Sequence, residues 1–371
     1  MKALTGVVCL CAAACCISCR GGSSTTGTLP GSREITTYRL VAMDSIGIES
    51  GDSCYVFGDA TSADFTSEGG IVVLDGVNCR VSFFDSTGEF RSSVSIQGQG
   101  PGEFNSPTFL KTLPGGGFMV FGQEERKICL YDSRMNLLDE HLFYESNRLG
   151  PYKVYPLADT SYAANFSILS AAGDSVSNTI LLLSGDSSIT ITRRTAPYDP
   201  DFAWQTNTAM VFTTAPDGSI LVANRATEEW RIVQFDQSGQ LLGSIERDYE
   251  PVRKSDEQLS DEMELARQRY LNGMGTLDGF NWQPDEYLPA ISEIQVDSQD
   301  RVWVKRGGYR EIVYDVMTLD GEDLFTATFT PPQWLSCFTW NLKISENGCL
   351  ARPYQPDRYP LVYRLELVAE E

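Results

Sequence analysis

The chain is poor in histidine, which excludes several kinds of catalytic site. His141 is the only histidine among 371 residues, so a multi-histidine metal site cannot form and a histidine-based triad would depend on this residue alone. Neither a Gly-x-Ser-x-Gly elbow nor a His-Glu-x-x-His motif occurs. We predict no catalytic residues, and we expect His141, which lies beside Glu140 after a predicted strand, to be a solvated loop residue.

Basic residues are also scarce. The chain has 29 Lys and Arg residues against 50 Asp and Glu residues, a net charge of −21. Such an excess of negative charge argues against nucleic acid and anionic lipid as partners, since both are polyanions. It fits a soluble surface that meets cations or basic partners.

Long apolar runs are absent beyond the N-terminus. Lys2 precedes an apolar stretch over residues 3–17, which is shorter than the roughly 20 residues that cross a bilayer. A basic start, a short apolar core and small residues before a cut site are typical of a secretory signal. The stretch ends in Cys16-Ile17-Ser18-Cys19, which resembles the lipobox of bacterial lipoproteins and predicts lipidation of Cys19.

Two alternatives to lipidation at Cys19 stay open. Cys16 stands where the lipobox usually has leucine, and Cys15 follows three alanines and is a rival acceptor. An ordinary cleaved signal peptide, giving a product without lipid, is the other alternative.

The domain organisation follows from the lipobox. Residues 1–18 are the predicted signal peptide, and residues 19–34 are a tether rich in Gly, Ser and Thr, a composition typical of flexible linkers. Residues 35–371 form the predicted domain. Acidic residues are absent just after Cys19, which favours a chain anchored to the outer membrane of a bacterial cell envelope and facing the periplasm.

Cysteine usage leaves two interpretations open. Five of the ten cysteines belong to the signal and anchor, and the other five are an odd number: Cys54, Cys79, Cys129, Cys337 and Cys349. Export permits disulfides, and proximity favours a Cys337–Cys349 pair. Free buried thiols are the alternative.

A repeat runs through the rest of the chain. Each copy has a basic residue, a β-rich run, an aromatic residue, an aspartate and then a turn. The copies occupy residues 80–85, 127–132, 231–236 and 310–315, with a degraded copy at 358–363. Their spacing predicts six units of several antiparallel strands, including a degenerate unit over residues 156–191 with strands near 163–168 and 179–183.

This pattern predicts an all-β fold, a six-bladed β-propeller with one helical insertion over residues 248–289. Residues 36–64 precede the first unit, and we expect them to close the last blade and to supply the outer part of the first.

The insertion contains a predicted helix over residues 255–271. Ser255 can cap it, and acidic residues fill its first turns. Phe280, Trp282 and Tyr287 follow. One interpretation is a lid or platform for sugars or peptides, because long loops in compact domains are often functional. The other is a helix packed on the outside of a blade.

A family resemblance rests on two segments. Residues 84–90, Phe-Asp-Ser-Thr-Gly-Glu-Phe, and residues 98–104, Gly-Gln-Gly-Pro-Gly-Glu-Phe, resemble the six-bladed propeller lipoproteins of Bacteroides-like bacteria, which are similar to NHL-repeat proteins. The resemblance implies a fold and an envelope location but no agreed activity. The glycines of the second segment do not match a phosphate-binding loop, so we expect a tight crossover between blades.

We therefore expect a non-catalytic binding or scaffold module. Its partner would be a glycan, a peptide or an envelope protein, such as a transport complex. One basic residue per unit suggests a ligand-binding ring, to which the insertion adds Trp282 and Tyr287; the ring would hold Arg80, Lys127, Arg231, Arg310 and Arg358. Pairing of each cation within its own blade is the alternative.

A calcium-dependent hydrolase or lyase is the second functional hypothesis. It would need three or more carboxylate or amide side chains converging at the channel mouth, and the sequence does not single out such a set. A binding module would instead show a groove or an aromatic patch there.

Overall fold

The structure, a computed structural model, describes residues 36–113, 115–143, 148–157, 161–185, 187–198, 209–308, 310–331, 340–345, 348–353 and 359–370. The predicted signal peptide, Cys19 and the tether lie outside these ranges, as do Cys337 and Arg358. No helix within these ranges is long and apolar enough to cross a membrane.

The described chain is all-β apart from one helix, α1 (Asp256–Met274). Four sheets are built from strands that follow one another in the chain. The first holds β2 (Ala60–Phe65), β3 (Ile71–Asp75), β4 (Arg80–Phe84) and β5 (Phe90–Ser95), and the second β6 (Pro107–Thr112), β7 (Phe118–Gly122), β8 (Lys127–Tyr131) and β9 (Leu137–Leu142). The third holds β10 (Arg148–Leu149), β11 (Val154–Pro156), β12 (Ser161–Leu169), β13 (Ser175–Ser184) and β14 (Ser187–Pro197). The fourth holds β15 (Met210–Thr214), β16 (Ile220–Asn224), β17 (Trp230–Phe235) and β18 (Leu241–Arg247).

The fifth sheet has eight strands and joins both ends of the described chain. Its order is β19 (Glu293–Val296), β20 (Val302–Lys305), β21 (Ile312–Met317), β22 (Asp323–Phe329), β1 (Thr37–Ile46), β25 (Val362–Ala369), β24 (Gly348–Pro353) and β23 (Trp340–Ser345). Strand β1 pairs antiparallel with β25 and parallel with β22. The predicted closure by the N-terminal segment is therefore confirmed.

The arrangement is propeller-like, as expected. The inner-edge strands contact in sequence: β2 meets β6 and β23, β15 meets β11 and β19, and β19 meets β23. Strand β2 lies at this inner edge, so the expectation that residues 36–64 supply the outer part of the first blade was wrong. The described strands form five sheets rather than six separate ones, because β1 offers its second edge to β22.

The repeated aspartate is a turn-forming residue. Asp85 Oδ1 accepts hydrogen bonds from the backbone N–H groups of Thr87 at 2.8 Å and Glu89 at 3.0 Å. Asp236 makes the same pair of bonds to Ser238 at 2.8 Å and to Gln240 at 2.9 Å. Side-chain capping of this kind is the reason that Asp is favoured in tight turns, and it explains why the residue recurs between the third and fourth strands of these units. The predicted copy at 310–315 is different: Asp315 lies within β21, and the turn forms at Thr318, whose Oγ1 accepts from the Glu322 N–H at 3.1 Å.

The core lies between neighbouring sheets. Leu74 and Val81 of the first sheet, for example, pack in one buried cluster with Phe118 and Val120 of the second. Each sheet thus buries both faces against neighbours, which is why the central strands are almost continuously apolar.

The helix and the degenerate unit agree with expectation. Ser255 is the N-cap of α1, and its Oγ accepts a hydrogen bond from the Gln258 backbone N–H at 3.2 Å. Strands β12 and β13 contain the two strands predicted near 163–168 and 179–183, and they pair with each other from Ser161 with Ser184 to Leu169 with Val176.

The cysteines follow the free-thiol alternative. Cys79, Cys129 and Cys349 are buried free thiols, and Cys54 is a half-buried one. The proposed disulfide between Cys349 and Cys337 is therefore absent. Burial raises the pKa of Cys129 to about 12, which keeps this thiol protonated and unreactive.

Replacing Leu40 by alanine should test the closure by β1. Leu40 is 3% exposed and packs in the cluster that holds Phe329 and Trp340, so we expect a loss of about 2–5 kcal/mol in the free energy of unfolding. Val41, the next residue of β1, is 36% exposed, and Val41→Ala is the matched control with a small effect. Urea denaturation measures both, and equal small losses would contradict a structural role for β1.

Candidate functional site

A cavity of about 690 Å³ lies between the helical insertion and the ends of the inner strands. It sits at the end of the domain where β19 and β23 begin and where β16 and β20 finish. Its lining comprises Lys153, Arg225, Lys254, Glu262, Leu265, Ala266, Tyr270, Phe280, Trp282, Leu288, Pro289, Ser292, Glu293, Lys305, Arg306, Gly307, Gly308, Trp340 and Asn341. A concave site of this volume is in the range of small-molecule pockets.

A two-stranded stem holds the insertion in place. The Lys254 N–H donates to the Glu286 carbonyl at 2.9 Å, and the Leu288 N–H donates to the Val252 carbonyl at 2.8 Å. These bonds bring together the two ends of the segment that carries α1 and the aromatic loop.

The stem is also tied to the sheets on both sides. The Ala290 N–H donates to Ala226 O at 2.8 Å, next to the end of β16, and the Gly307 N–H donates to Pro289 O at 3.1 Å, next to the end of β20. A Cβ on Gly307 would lie 2.5 Å from that Pro289 oxygen, so this close approach requires glycine. The insertion is thus a fixed wall of the cavity.

The lining of the cavity carries an excess of positive charge, whereas the chain as a whole is negative. Its lining has five basic residues, Lys153, Arg225, Lys254, Lys305 and Arg306, but only two acidic ones, Glu262 and Glu293. This local excess of positive charge occurs in a protein with a net charge of −21, so it reflects the placement of particular residues rather than composition.

Two of these cations are already neutralised. Lys254 Nζ lies 2.7 Å from Glu262 Oε2, and Arg306 Nε donates to Asp315 Oδ2 at 2.7 Å. Lys153 and Arg225 are exposed, and no acid among the described residues forms an ion pair with either. These two cations therefore stand open to a ligand.

Aromatic side chains form the insertion's side of the cavity. The rings of Tyr270 and Phe280 are 5.3 Å apart in an edge-to-face contact, and the Tyr270 hydroxyl donates to Asp278 O at 3.0 Å. Trp282 is half-buried and lines the cavity beside them. Three aromatic side chains of the insertion therefore line one side of the cavity.

Trp340, the first residue of β23, also lines the cavity. Its side chain is among the most buried, at 2% exposure, yet the indole Nε1–H has no hydrogen-bond partner among the described residues. Buried donors are rarely left unpaired, so this N–H is an unsatisfied polar group in the wall of the cavity.

A second charged cluster lies on the inner strands. Asp64 is 2% exposed and its Oδ2 accepts from the Thr112 N–H at 3.0 Å, with Lys111 Nζ at 3.2 Å. Lys343 of β23 belongs to the same cluster. Burial raises the pKa of Asp64, but Lys111, Lys343 and the Thr112 N–H outweigh it and hold the pKa below its usual value.

The pKa values of the two lysines in this cluster shift in opposite directions. Burial lowers the pKa of Lys111, but the Asp64 carboxylate outweighs it and raises the value. Burial lowers the pKa of Lys343 to about 7; Asp64 opposes this shift and the neighbouring Lys111 cation adds to it. Asp64 and Lys111 therefore stay charged and pair with each other, whereas Lys343 gives up its proton near neutral pH.

Of the residues predicted to bind ligand, Trp282 lines the cavity. Tyr287 is exposed on the stem, where it pairs with Arg253. As ligand contacts, these assignments stay predictions, since no bound molecule tests them.

The predicted basic ring has contacts of the in-blade kind. Arg80 Nη2 is 3.4 Å from Asp75 Oδ2, and Lys127 Nζ is 3.2 Å from Glu140 Oε2. Arg231 Nε is 3.1 Å from Glu246 Oε1.

Arg310 Nη2 is 2.7 Å from Glu257 Oε1 and so joins α1 to the sheet below. None of the four lines the cavity. Their role as a ring of ligand contacts stays a prediction.

Two further expectations are settled by local contacts. The segment 98–104 crosses from β5 to β6. Gly98 has a φ of 148°, and a Cβ at this position would lie 1.9 Å from Glu103 Oε2, so both the backbone and the close contact require glycine. This is the structural crossover that was expected. His141 lies within β9 rather than in a loop, half-buried with its ring 4.7 Å from that of Phe143, because the fourth strand of the unit extends further than its polar sequence suggests.

The cavity does not suit calcium. A calcium site needs several converging oxygen ligands, but the described residues contain no group of three or more His, Cys, Asp or Glu side chains that could hold a metal. The two acids of the lining are outnumbered by cations.

Comparison with known proteins supports the propeller fold. No family model and no curated protein matches the chain. A solved structure of a DUF4221 family member from Bacteroides vulgatus is 9% identical, with a TM-score of 0.56, and covers 90% of this chain and 99% of its own. An exported protein from Bacteroides fragilis is 11% identical, with a TM-score of 0.50, and covers 91% and 100%. At this identity the likeness shows the fold alone.

Replacing Lys343 by methionine should flatten the pH dependence of stability. In the folded protein Lys343 loses its proton near pH 7, whereas the unfolded chain keeps it up to about pH 10.5. The unfolded state therefore binds more protons in this window, so Lys343 makes stability rise with pH. Without it, the slope of the unfolding free energy should fall by up to about 1.4 kcal/mol per pH unit.

Urea denaturation at several values between pH 7 and 10 measures this slope. Lys153→Met is the matched control, because the neighbouring Tyr155 raises rather than lowers the pKa of Lys153. Identical slopes for the Lys343→Met variant and the unmodified chain would contradict the assignment.

Proposed function

We propose that this chain is an exported, lipid-anchored propeller that binds a small molecule in the cavity beneath its helical insertion. The observation that carries the proposal is the insertion itself: its stem is hydrogen-bonded to two neighbouring sheets, so the aromatic wall is held over the mouth of the inner strands. A rigid cavity with an aromatic wall and few convergent polar groups suits recognition.

The propeller in this proposal has six blades. The eight-stranded sheet divides at its one parallel pairing, β1 with β22. On one side β19 to β22 form an antiparallel unit, and on the other β23, β24, β25 and β1 form another. Each half has four antiparallel strands, as the first, second and fourth sheets do, which supports the six-blade count.

The anchor in this proposal is a lipid on Cys19. Support comes from the segment Cys16-Ile17-Ser18-Cys19, which resembles the lipobox of bacterial lipoproteins.

Thermal-shift screening of the purified chain against glycans, peptides and small metabolites tests the binding site. A ligand that raises the melting temperature should lose this effect in Trp282→Ala, because the variant removes the aromatic wall. Tyr287→Ala, on the exposed stem, should retain it. Ligands that respond to Tyr287→Ala and not to Trp282→Ala would place the site outside the cavity.

Labelled palmitate tests the anchor. Cells expressing the unmodified chain should incorporate the label, and Cys19→Ala should abolish incorporation because the acceptor thiol is gone. Cys15→Ala is the matched control and should leave labelling intact. Labelling that depends on Cys15 would move the acceptor, and labelling of neither chain would leave an ordinary signal peptide.

A further inference from the structure

We infer that the ligand of the cavity is a ring-bearing organic anion: its carboxylate, phosphate or sulfonate contacts Lys153 and Arg225, and its ring packs on Trp282. This inference rests on the proposed function, which assigns the cavity as the binding site, and adds the chemical class of the ligand.

The first support is the charge that remains after internal pairing. Lys254 and Arg306 are neutralised by Glu262 and Asp315. Lys153 and Arg225 are exposed at the cavity without an acidic partner among the described residues. An anion placed there gains attraction in a partly enclosed site, where water screens charges less than in bulk solvent.

Neither acid of the lining forms an ion pair with these two cations. Glu262 is engaged by Lys254. Glu293 accepts from Gln295 Nε2 at 3.3 Å and lies 3.4 Å from the Tyr314 hydroxyl, and Tyr155 and Glu293 both raise the pKa of Lys153, which keeps this lysine charged. Lys153 and Arg225 together still outnumber the one carboxylate that acts on them, so the local charge is positive.

The second support is the kind of hydrogen-bonding group that remains free. Lys and Arg side chains and the indole of Trp are donors only. Lys153 and Arg225 therefore present only donors at the cavity surface, and the buried Nε1–H of Trp340 in the lining also lacks an acceptor. An oxyanion supplies several acceptor lone pairs, and the fork of an arginine fits a carboxylate or phosphate with two parallel bonds.

The third support is the shape of the opposite wall. Trp282 stands beside the edge-to-face pair of Tyr270 and Phe280, so the insertion presents flat aromatic surface to the cavity. Aromatic side chains give a large contact area at a ring face. A ligand with an anionic end and a ring satisfies both walls at once.

Two dyes of nearly the same shape distinguish the contribution of the anionic group to binding from that of the rings. 8-Anilinonaphthalene-1-sulfonate is anionic, and N-phenyl-1-naphthylamine is its neutral counterpart. Fluorescence titration of the purified full chain should show that the anionic dye binds more tightly. Lys153→Gln and Arg225→Gln should each weaken the anionic dye about tenfold, the loss expected for one charge-assisted hydrogen bond, and leave the neutral dye unchanged.

Arg231→Gln is the matched control, since Arg231 is an exposed cation outside the cavity that pairs with Glu246. It should change neither dye. Trp282→Ala should weaken both dyes, because it removes the ring surface that they share. Unchanged urea midpoints would show that the variants are folded.

The outcomes distinguish the two levels of the argument. If Trp282→Ala weakens both dyes but Lys153→Gln and Arg225→Gln leave the anionic dye unaffected, the cavity stands as the site and the anionic class is wrong. If Trp282→Ala changes neither dye, or if neither dye binds, the cavity is not the binding site and the proposed function fails with the inference.

Discussion

The pairing of β1 with β25 is the constraint on which the rest of the structure depends. It joins residues near the start of the domain to its last strand, from Tyr38 with Ala369 to Ile46 with Val362. Arg39 adds an ion pair to Glu370 at 3.0 Å. Only when this ring closes are β23 and β2 brought together at the inner edge, and with them the charged cluster of the inner strands. Closing so long a loop costs conformational entropy, which the buried face of β1 must offset.

Features that depend on neighbours in the chain could be predicted from the sequence. The turns at Asp85 and Asp236 form through bonds to residues two and four positions later, so the repeat is legible as a pattern. The helix begins where Ser255 can cap it for the same reason. The degenerate unit could be located because the copies at Asp132 and Asp236 are too far apart for a single unit, which leaves room for one more between them.

Features that depend on closure could not be predicted. Lys153 and Arg225 come from different sheets and belong to no motif, and they share a cavity only because the inner strands converge. The repeated basic residues suggested a ligand-binding ring instead. Arg80 and Lys127 belong to a regular series, yet each pairs with an acid of its own unit and donates to a carbonyl of the segment that leads into that unit. Periodicity reports the structural unit, whereas a binding site is built where the units differ.

The position of the insertion in the chain explains why the units differ most at the cavity. Strand β18 ends and β19 begins at the same end of the domain, so the segment between them can cross the mouth of the inner strands without disturbing any strand pairing. The surface outside is acidic, but charges farther than about 10 Å are largely screened at ordinary salt concentrations. The field that a ligand meets inside the cavity is therefore set by Lys153, Arg225 and their immediate neighbours rather than by the net charge of −21, and an acidic protein can hold a site for an anion.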